Sequence, residues 1–326
     1  MPLSRRTILA GMAVMSQASL AYAQASAQQA PEVINLWPGK PPSGNGPLVP
    51  EHTDGKGSVT NVAVPRLAIY RPAKPNGTAV MLAAGGGYAH IELGAETTPA
   101  AKWLQSLGIT AYELIYRLPE EGWTRDAPFE DGQRAMRIIR SRSAADRVDP
   151  KRIGAMGFSA GGHLVAMTSV LPDVVRTPAI DAIDALPARP NFAVLLYPVI
   201  TMLPPYNERP FPSQSRSKAS TTHAFKSLFG PDATKTEEIA YSPEQHVDGQ
   251  TPPLFLAQAE DDPISPVQNS KMMDAAAKAA HVPSELHLFA TGGHGWGMGK
   301  LGSEETVWPK LCAEWMARGG FLAKTV

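Results

Sequence analysis

The sequence predicts an α/β architecture, a mostly parallel sheet with helices packed on both faces, and three observations carry that expectation. Short apolar runs alternate with longer amphipathic stretches along most of the chain, the order that builds β-α-β units. The run from Thr78 to Ala84 has no polar alternation, as a strand buried on both faces requires. The length of 326 residues, with 43% hydrophobic and 18% charged residues, suits one large domain with a substantial core.

The elements follow in order. Arg66 to Tyr70 and Thr78 to Ala84 read as strands, Thr98 to Leu107 as a helix stopped by Gly108, and Ile109 to Tyr116 as a strand. Phe129 to Ser143 reads as a helix with Met136 and Ile139 on its apolar face, the 3.6-residue period of a helix packed on one side. A short strand, Arg152 to Met156, leads to a helix, Ala160 to Leu171. The strands Phe192 to Tyr197, Leu254 to Ala259 and Glu285 to Phe289 follow, with a helix from Pro266 to Ala280 between the last two. A helix from Glu304 to Phe321 ends the pattern. Residues 198–252 interrupt the alternation. They are rich in Pro and Ser, hold one helical piece, Thr222 to Phe229, and read either as a cap-like insertion or as a plain long loop.

Ahead of this domain, assigned to residues 61–326, the stretch 24–60 is rich in Gln, Ala, Pro and Gly. Its run Pro41-Pro42-Ser43-Gly44-Asn45-Gly46-Pro47 cannot hold regular structure, so the stretch reads as an extended tether leading to a loop over the domain. Residues 1–23 read as an address. Arg5-Arg6 precede an apolar run from Ile8 to Val14, and Ala21-Tyr22-Ala23 fits a cleavage site. The segment resembles a bacterial twin-arginine export signal, which implies a periplasmic or secreted protein. An ordinary secretory signal would lead to the same place. The apolar run falls short of the roughly 20 residues that span a bilayer, so no stable membrane insertion is expected after cleavage.

Composition excludes several classes of function. Thirty basic residues balance thirty acidic ones, so there is no electrostatic footprint for nucleic acid. The one cysteine, Cys312, cannot form an intrachain disulfide or a cysteine zinc site and reads as a core residue. There is no H-E-x-x-H motif. Neither a metal nor a cofactor is expected.

What remains is nucleophilic chemistry. Gly157-Phe158-Ser159-Ala160-Gly161 is a G-x-S-x-G pattern flanked by a strand and a helix, the context in which such a serine is a nucleophile. Glycines on both sides allow a strained turn, and the helix start supplies free N–H groups where negative charge develops. A serine hydroxyl needs a base, and the base needs an orienting acid. In a sheet of this kind they follow in the order serine, acid, histidine.

Of eight histidines, His52 and His90 precede Ser159, and His163 lies on the helix directly behind it. His287 sits inside a strand, while His223, His246 and His281 lie in the insertion or at a helix end. His294 stands in Thr291-Gly292-Gly293-His294-Gly295-Trp296-Gly297, just after the last strand, a loop that can bring an imidazole to the sheet end. The acid should leave the strand ending at Ala259. Asp262 is preferred, with Asp261 as the alternative. The backbone amides of Gly86 or Gly87, in Gly85-Gly86-Gly87-Tyr88, joined by that of Ala160, would hold the oxyanion. A phosphate-binding reading of these glycines fails, because the G-x-G-x-x-G spacing is absent.

Together these motifs resemble the α/β-hydrolase superfamily, and within it bacterial acetyl xylan esterases and lipase-like carbohydrate esterases. The likeness rests on Gly85-Gly86-Gly87-Tyr88, Glu96, Tyr116-Arg117-Leu118, and Asp131 with Arg134 to Arg140. It continues in Gly157 to Leu164, Asp262, Pro266, Asn269-Ser270, Glu285-Leu286-His287 and Gly293-His294-Gly295. Two departures stand out. Ala84 occupies the place before the glycines where such loops often carry His or Pro, which removes one orienting hydrogen bond, and Thr97-Thr98 replace an expected Gly.

The resemblance implies ester hydrolysis through an acyl-enzyme, on a small-molecule or oligosaccharide ester and often of acetate from a sugar hydroxyl. Tyr88, Glu96, Trp123 and Trp296 are candidates to line the pocket. A serine peptidase or amidase of the same fold is the rival within enzymes. A non-catalytic binding protein is the rival outside them, but its signature would be a missing triad member, and none is missing.

Overall fold

The computed structural model describes residues 31–204, 220–229 and 233–322. The expected signal at 1–23, residues 24–30 and part of the 198–252 insertion lie outside them. The unit that carries the sheet spans Val33–Val326.

Its strands are β1 (Glu32–Asn35), β2 (His52–Thr53), β3 (Ser58–Thr60), β4 (Arg66–Tyr70), β5 (Ala79–Ala83) and β6 (Ile91–Glu92). β7 (Thr110–Ile115), β8 (Ile153–Phe158), β9 (Ala193–Leu196), β10 (Leu254–Ala259) and β11 (Ser284–Phe289) complete them. Eight form one sheet in the order β1-β4-β7-β5-β8-β9-β10-β11. β7 through β11 run parallel, and β4 pairs antiparallel with β7. This is an α/β-hydrolase fold.

The helices are α1 (Thr98–Ser106), α2 (Ala127–Ser141), α3 (Ala160–Val170), α4 (Ser220–Phe229), α5 (Lys235–Ala240), α6 (Gln268–Ala279) and α7 (Trp308–Arg318). Two apolar cores form on the opposite faces of the sheet, and β5 shows why. Ala79, Met81 and Ala83 join a cluster with Phe129 and Met136 of α2, Leu164 of α3 and Met273 of α6. Val80 and Leu82 join the other, with Leu104 of α1 and Trp308, Cys312 and Met316 of α7. The period-2 alternation of a strand thus feeds both layers, and a five-residue strand buried throughout must be apolar at every position.

β5 lies between β7 and β8, so the chain leaves it toward one edge and later builds toward the other. The crevice outside the C-terminal ends of strands at such a switch point is where this class of sheet binds ligands. The glycine loop after β5 and Ser159 after β8 both open there.

Element positions agree closely with the sequence reading, with four differences. Residues 24–60 were expected to be a tether leading to a loop over the domain. Where described, they belong to the body instead: β1 adds an edge strand, Leu36 and Trp37 are buried, and the Trp37 indole donates to Asp131 at 2.8 Å. A second antiparallel sheet, β2-β3-β6, was not foreseen. Its strands are two or three residues long, too short to show a period. α1 is preceded by a π-helical turn, Leu93–Thr97. The last helix is split into a 3-10 turn, Glu304–Val307, and α7, whose first turn holds a proline, a residue at home there because the N–H it lacks would have no partner.

In the insertion, the described parts comprise α4, α5 and a 3-10 turn, Pro243–Gln245. Thr234 and Glu237 form a reciprocal capping box at the start of α5. These parts lie against the body: Glu237 pairs with Arg125 at 2.7 Å, and the Tyr241 ring packs on Phe129 and Phe229.

A charged cluster ties the segment after β7 to α2. Arg117 is fully buried and donates to both oxygens of Asp131 and to Glu130 at 2.8–3.0 Å. Its guanidinium lies 5.4 Å from the Trp37 ring centroid and 5.0 Å from that of Trp123.

Candidate active site

Ser159 sits between β8 and α3 with φ 51° and ψ −118°, a backbone region that a residue with a side chain occupies only when its surroundings impose it. Three close approaches do so. A Cβ at Gly157 would collide with the Gly161 carbonyl, and one at Gly161 with the carbonyls of Ala83 and Ala84. A Cβ at Gly85 would stand 2.7 Å from that of Ser159. The Ser159 amide donates to Leu196 O at 3.0 Å, and its carbonyl accepts from Val199 N and His163 N. The side chain is thereby pushed out of the sheet end.

His294 arrives on the loop after β11. Its Nε2 lies 2.8 Å from Ser159 Oγ, and its Nδ1 lies 2.8 Å from Asp262 Oδ2. The other Asp262 oxygen accepts from Ile264 N and Ser265 N at 2.8 and 2.9 Å, and Gln258 Nε2 donates to Oδ2 at 3.2 Å. A carboxylate with these donors faces Nδ1 as an acceptor. Nδ1 therefore carries the hydrogen, and Nε2 presents its lone pair to the serine hydroxyl. The Asp262 side chain is fully buried and that of His294 is 11% exposed. Asp261, the alternative acid, does something else: its Oδ1 accepts from Gly293 N at 2.8 Å.

The loop after β5 faces this row. Gly86 O accepts from Ala89 N and His90 N, turning the chain tightly. The amides of Gly86, Gly87 and Ala160 have no hydrogen-bond acceptor among the described residues, as an oxyanion hole requires. Ala84 leaves the loop without the usual His or Pro, and two other contacts hold it. The Tyr116 hydroxyl donates to Ala84 O at 2.8 Å, and Gly85 N donates to Glu96 Oε2 at 2.6 Å.

The expected pocket residues are buried and bound to other protein groups. Tyr88 is fully buried, and its hydroxyl lies 2.8 Å from His163 Nδ1. His163 Nε2 lies 2.7 Å from Tyr241 O and so donates there, which leaves Nδ1 to accept from Tyr88. Burial pulls the His163 pKa down to about 4, so the ring is neutral and structural, as its place on the helix implied. Trp123 is buried with its indole donating to Val62 O at 2.9 Å. Trp296 is 4% exposed and packs edge-on against Tyr197, centroids 4.5 Å apart. Glu96 is 4% exposed and holds backbone and Tyr197 rather than facing an open cleft. Tyr197, at the end of β9, was not singled out from the sequence, yet its ring lies 4.9 Å from that of His294. Its place one residue past an apolar strand pairing with β8 and β10 is the only signal that could have found it.

Other histidines have other partners: His287 faces Glu285 at 2.8 Å, His246 faces Ile239 O at 2.9 Å and His90 faces Glu92 at 3.4 Å. Among the described residues no group of three or more His, Cys, Asp and Glu could hold a metal ion.

The model of the BD-FAE family matches residues 67–276, from β4 into α6. The chain belongs to the BD-FAE family. Two curated relatives of this BD-FAE chain come from bacteria. An acetylxylan esterase of Xylanibacter ruminicola is 30% identical over 238 residues, 72% of this chain and 44% of the relative. Endo-1,4-beta-xylanase B of Butyrivibrio fibrisolvens is 30% identical over 238 residues, 68% of this chain and 35% of the relative. The chain thus spans less than half the length of either. Among solved structures, the acetyl ester-xyloside bifunctional hydrolase of Caldicellulosiruptor lactoaceticus is 32% identical with a TM-score of 0.74, covering 91% of this chain and 100% of that one. The esterase Est2 of Thermogutta terrifontis is 25% identical with a TM-score of 0.67, covering 91% and 95%.

Proposed function

We propose that this BD-FAE chain is an exported serine esterase that removes short acyl groups, acetyl foremost, from carbohydrate hydroxyls. The observation that carries the reading is the continuous row from Ser159 Oγ through His294 to Asp262, with 2.8 Å at each step, beside amides that have no acceptor among the described residues. The names of its relatives, an acetylxylan esterase and an acetyl ester-xyloside hydrolase, support the substrate class. The twin arginines at 5 and 6 support export, where acetylated polysaccharide is met.

In this reading Ser159 Oγ attacks the ester carbonyl while His294 Nε2 takes its proton. Asp262 stabilises the imidazolium. The oxyanion of the tetrahedral intermediate lies among the amides of Gly86, Gly87 and Ala160, and one such donor is typically worth about 10²–10³ in rate. The imidazolium returns the proton to the departing alcohol. Water, deprotonated by His294, then attacks the acyl-enzyme and releases the acid, regenerating Ser159.

The test is turnover of the purified protein on acetylated xylan, acetylated sugars and p-nitrophenyl acetate, with an aminoacyl anilide as the peptidase control and Ser159→Ala as the mechanistic one. Acetate release that vanishes in the variant is expected. Equal activity in both proteins, or preference for the anilide, refutes the reading. Export is tested by fractionating cells that produce the full chain: replacing Arg5 and Arg6 with lysines should retain the protein in the cytoplasm.

A further inference from the structure

A buried acid joins the two loops that must meet in this site. Glu96 accepts from Gly85 N at Oε2, 2.6 Å, and from the Tyr197 hydroxyl at Oε1, 3.0 Å. The same hydroxyl accepts from Gly297 N at 3.0 Å. Gly85 abuts Ser159 and opens the oxyanion loop, while Gly297 closes the loop that carries His294. The chain of contacts therefore runs from one loop, through a carboxylate and a phenol, to the other. The Tyr197 ring meanwhile forms a wall of the His294 imidazole. Tyr197 has a φ of 37°, and its amide is tied to Ala257 O at 2.8 Å, so its backbone is held in an unfavoured conformation that aims the phenol at this junction.

We propose that Glu96 and Tyr197 are positioning residues for the reaction of Ser159, an ionised bridge that keeps the oxyanion loop and the histidine loop in register. The proposal rests on the serine-esterase reading above. A purely apolar side chain would fill the space at position 96 without the cost of burying a carboxyl group. A carboxylate does what an apolar group cannot, since it accepts from an amide and a hydroxyl at once. Both observed contacts use Glu96 as acceptor, so the network fits the ionised form. A proton on Oε1 would face a Tyr197 oxygen that already receives Gly297 N–H and would leave the phenol hydrogen without its partner.

The groups facing Glu96 come from every side. They are His294 on its loop, Glu92 on β6, Tyr116 after β7, and Tyr197 with Asp262 beyond it. Burial raises the Glu96 carboxyl to about 7, while the Gly85 amide, the charge of His294 and the Tyr197 hydroxyl pull it down. As pH falls through that value the bridge takes up a proton and opens.

The experiment compares wild type, Glu96→Gln, Tyr197→Phe and the double variant on p-nitrophenyl acetate over roughly pH 5 to 9, with melting temperatures as the control for folding. Each single variant is expected to lower kcat by about tenfold or more with KM within about threefold, the size of a modest misplacement of reacting groups. The double variant should be no slower than the slower single one, as coupled residues require. The acid limb of log(kcat/KM) should be less steep in Glu96→Gln than in wild type, because the variant has no carboxyl group to titrate there.

Singles with wild-type kcat, additive losses, or a Glu96→Gln profile of unchanged shape would overturn the bridge. Should Glu96→Gln fail to fold, Tyr197→Phe, which keeps the ring against His294, decides by its kcat and its acid limb. A wild type no more active than Ser159→Ala would defeat the esterase reading itself, and the bridge with it. An active wild type with unperturbed variants defeats the bridge alone.

Discussion

Asp261 and Asp262 are sequence neighbours that hold the same loop by different handles: Asp262 binds the His294 imidazole and Asp261 the Gly293 amide one residue before it. Only Asp262 touches the imidazole that lies against Ser159. Replacing Asp262 with Asn turns an acceptor into a donor facing Nδ1 and stabilises the wrong tautomer, a change that costs about 10⁴ in kcat in triads of this kind. Asp261→Asn removes one loop contact and is expected to cost about tenfold or less. Steady-state kinetics on one acetyl ester separates them, and similar losses in both variants would reject the assignment.

The glycine before the oxyanion amides is required by a neighbour and not by its own backbone. A methyl group on Gly85 would lie 2.7 Å from Ser159 Cβ and 3.2 Å from Glu96 Oε2. Gly85→Ala should therefore displace the loop relative to the nucleophile. The expected result is a fall in kcat of about 10²-fold, the scale of a 1 Å misplacement, with slower labelling of Ser159 by a fluorophosphonate. Wild-type labelling kinetics would show that the loop has room to spare.

The architecture and the meeting of Ser159, His294 and Asp262 were legible for one physical reason: both leave local marks. A two-face-buried strand such as β5 must be apolar throughout, and a nucleophile turn must be flanked by small residues, so Ser159 announces itself. Asp262 and His294, the candidate acid and base, were picked out by chain order and by glycines near the sheet end. What the sequence hid was orientation. Tyr88 follows the oxyanion glycines and looked like a pocket residue, but its φ of 62° turns the ring into the core, where it meets His163. Trp296 and Glu96 lie near the active residues yet face inward. Their partner is Tyr197, a long-range contact that spacing along the chain cannot reveal. The strands β2, β3 and β6 are too short to carry a period, and β1 was obscured by the Pro- and Gly-rich residues that follow it.

The cluster around Arg117 bears on stability. Its guanidinium and the side chain of Asp131 are both fully buried, so truncating Asp131 removes one of the two carboxylates that offset the buried charge and leaves Glu130 as the remaining partner. Breaking such a pair typically costs 3–5 kcal/mol. Asp131→Ala is expected to lose about that much in denaturant unfolding, and it also strands the Trp37 indole and the Arg117 amide. A loss below about 1 kcal/mol, the range of exposed pairs, would show that the cluster is not held dry.

His163 predicts a pH effect on folding that is separate from catalysis. Burial lowers its folded pKa to about 4 from 6.5, so between these values the unfolded chain binds a proton that the folded one does not. Stability is therefore lost as pH falls from about 6.5 toward 4 and levels off below. At 1.36 kcal/mol for each pKa unit the full effect approaches about 3 kcal/mol. Glu96 works in the opposite sense: its folded pKa of about 7 lies above 4.5, so its protonation favours the folded chain across an overlapping range. The comparison must therefore be differential. His163→Gln gives up hydrogen bonds to Tyr88 and Tyr241 and should be less stable at neutral pH, but it keeps Glu96 and has no imidazole to titrate. The difference in unfolding free energy between wild type and His163→Gln should shrink as pH falls from about 6.5 to 4, because the wild type alone loses the His163 contribution. A difference that stays constant over that interval would mean that the buried imidazole is protonated in the folded protein, with Nδ1 donating to the Tyr88 hydroxyl while Nε2 still donates to the Tyr241 carbonyl.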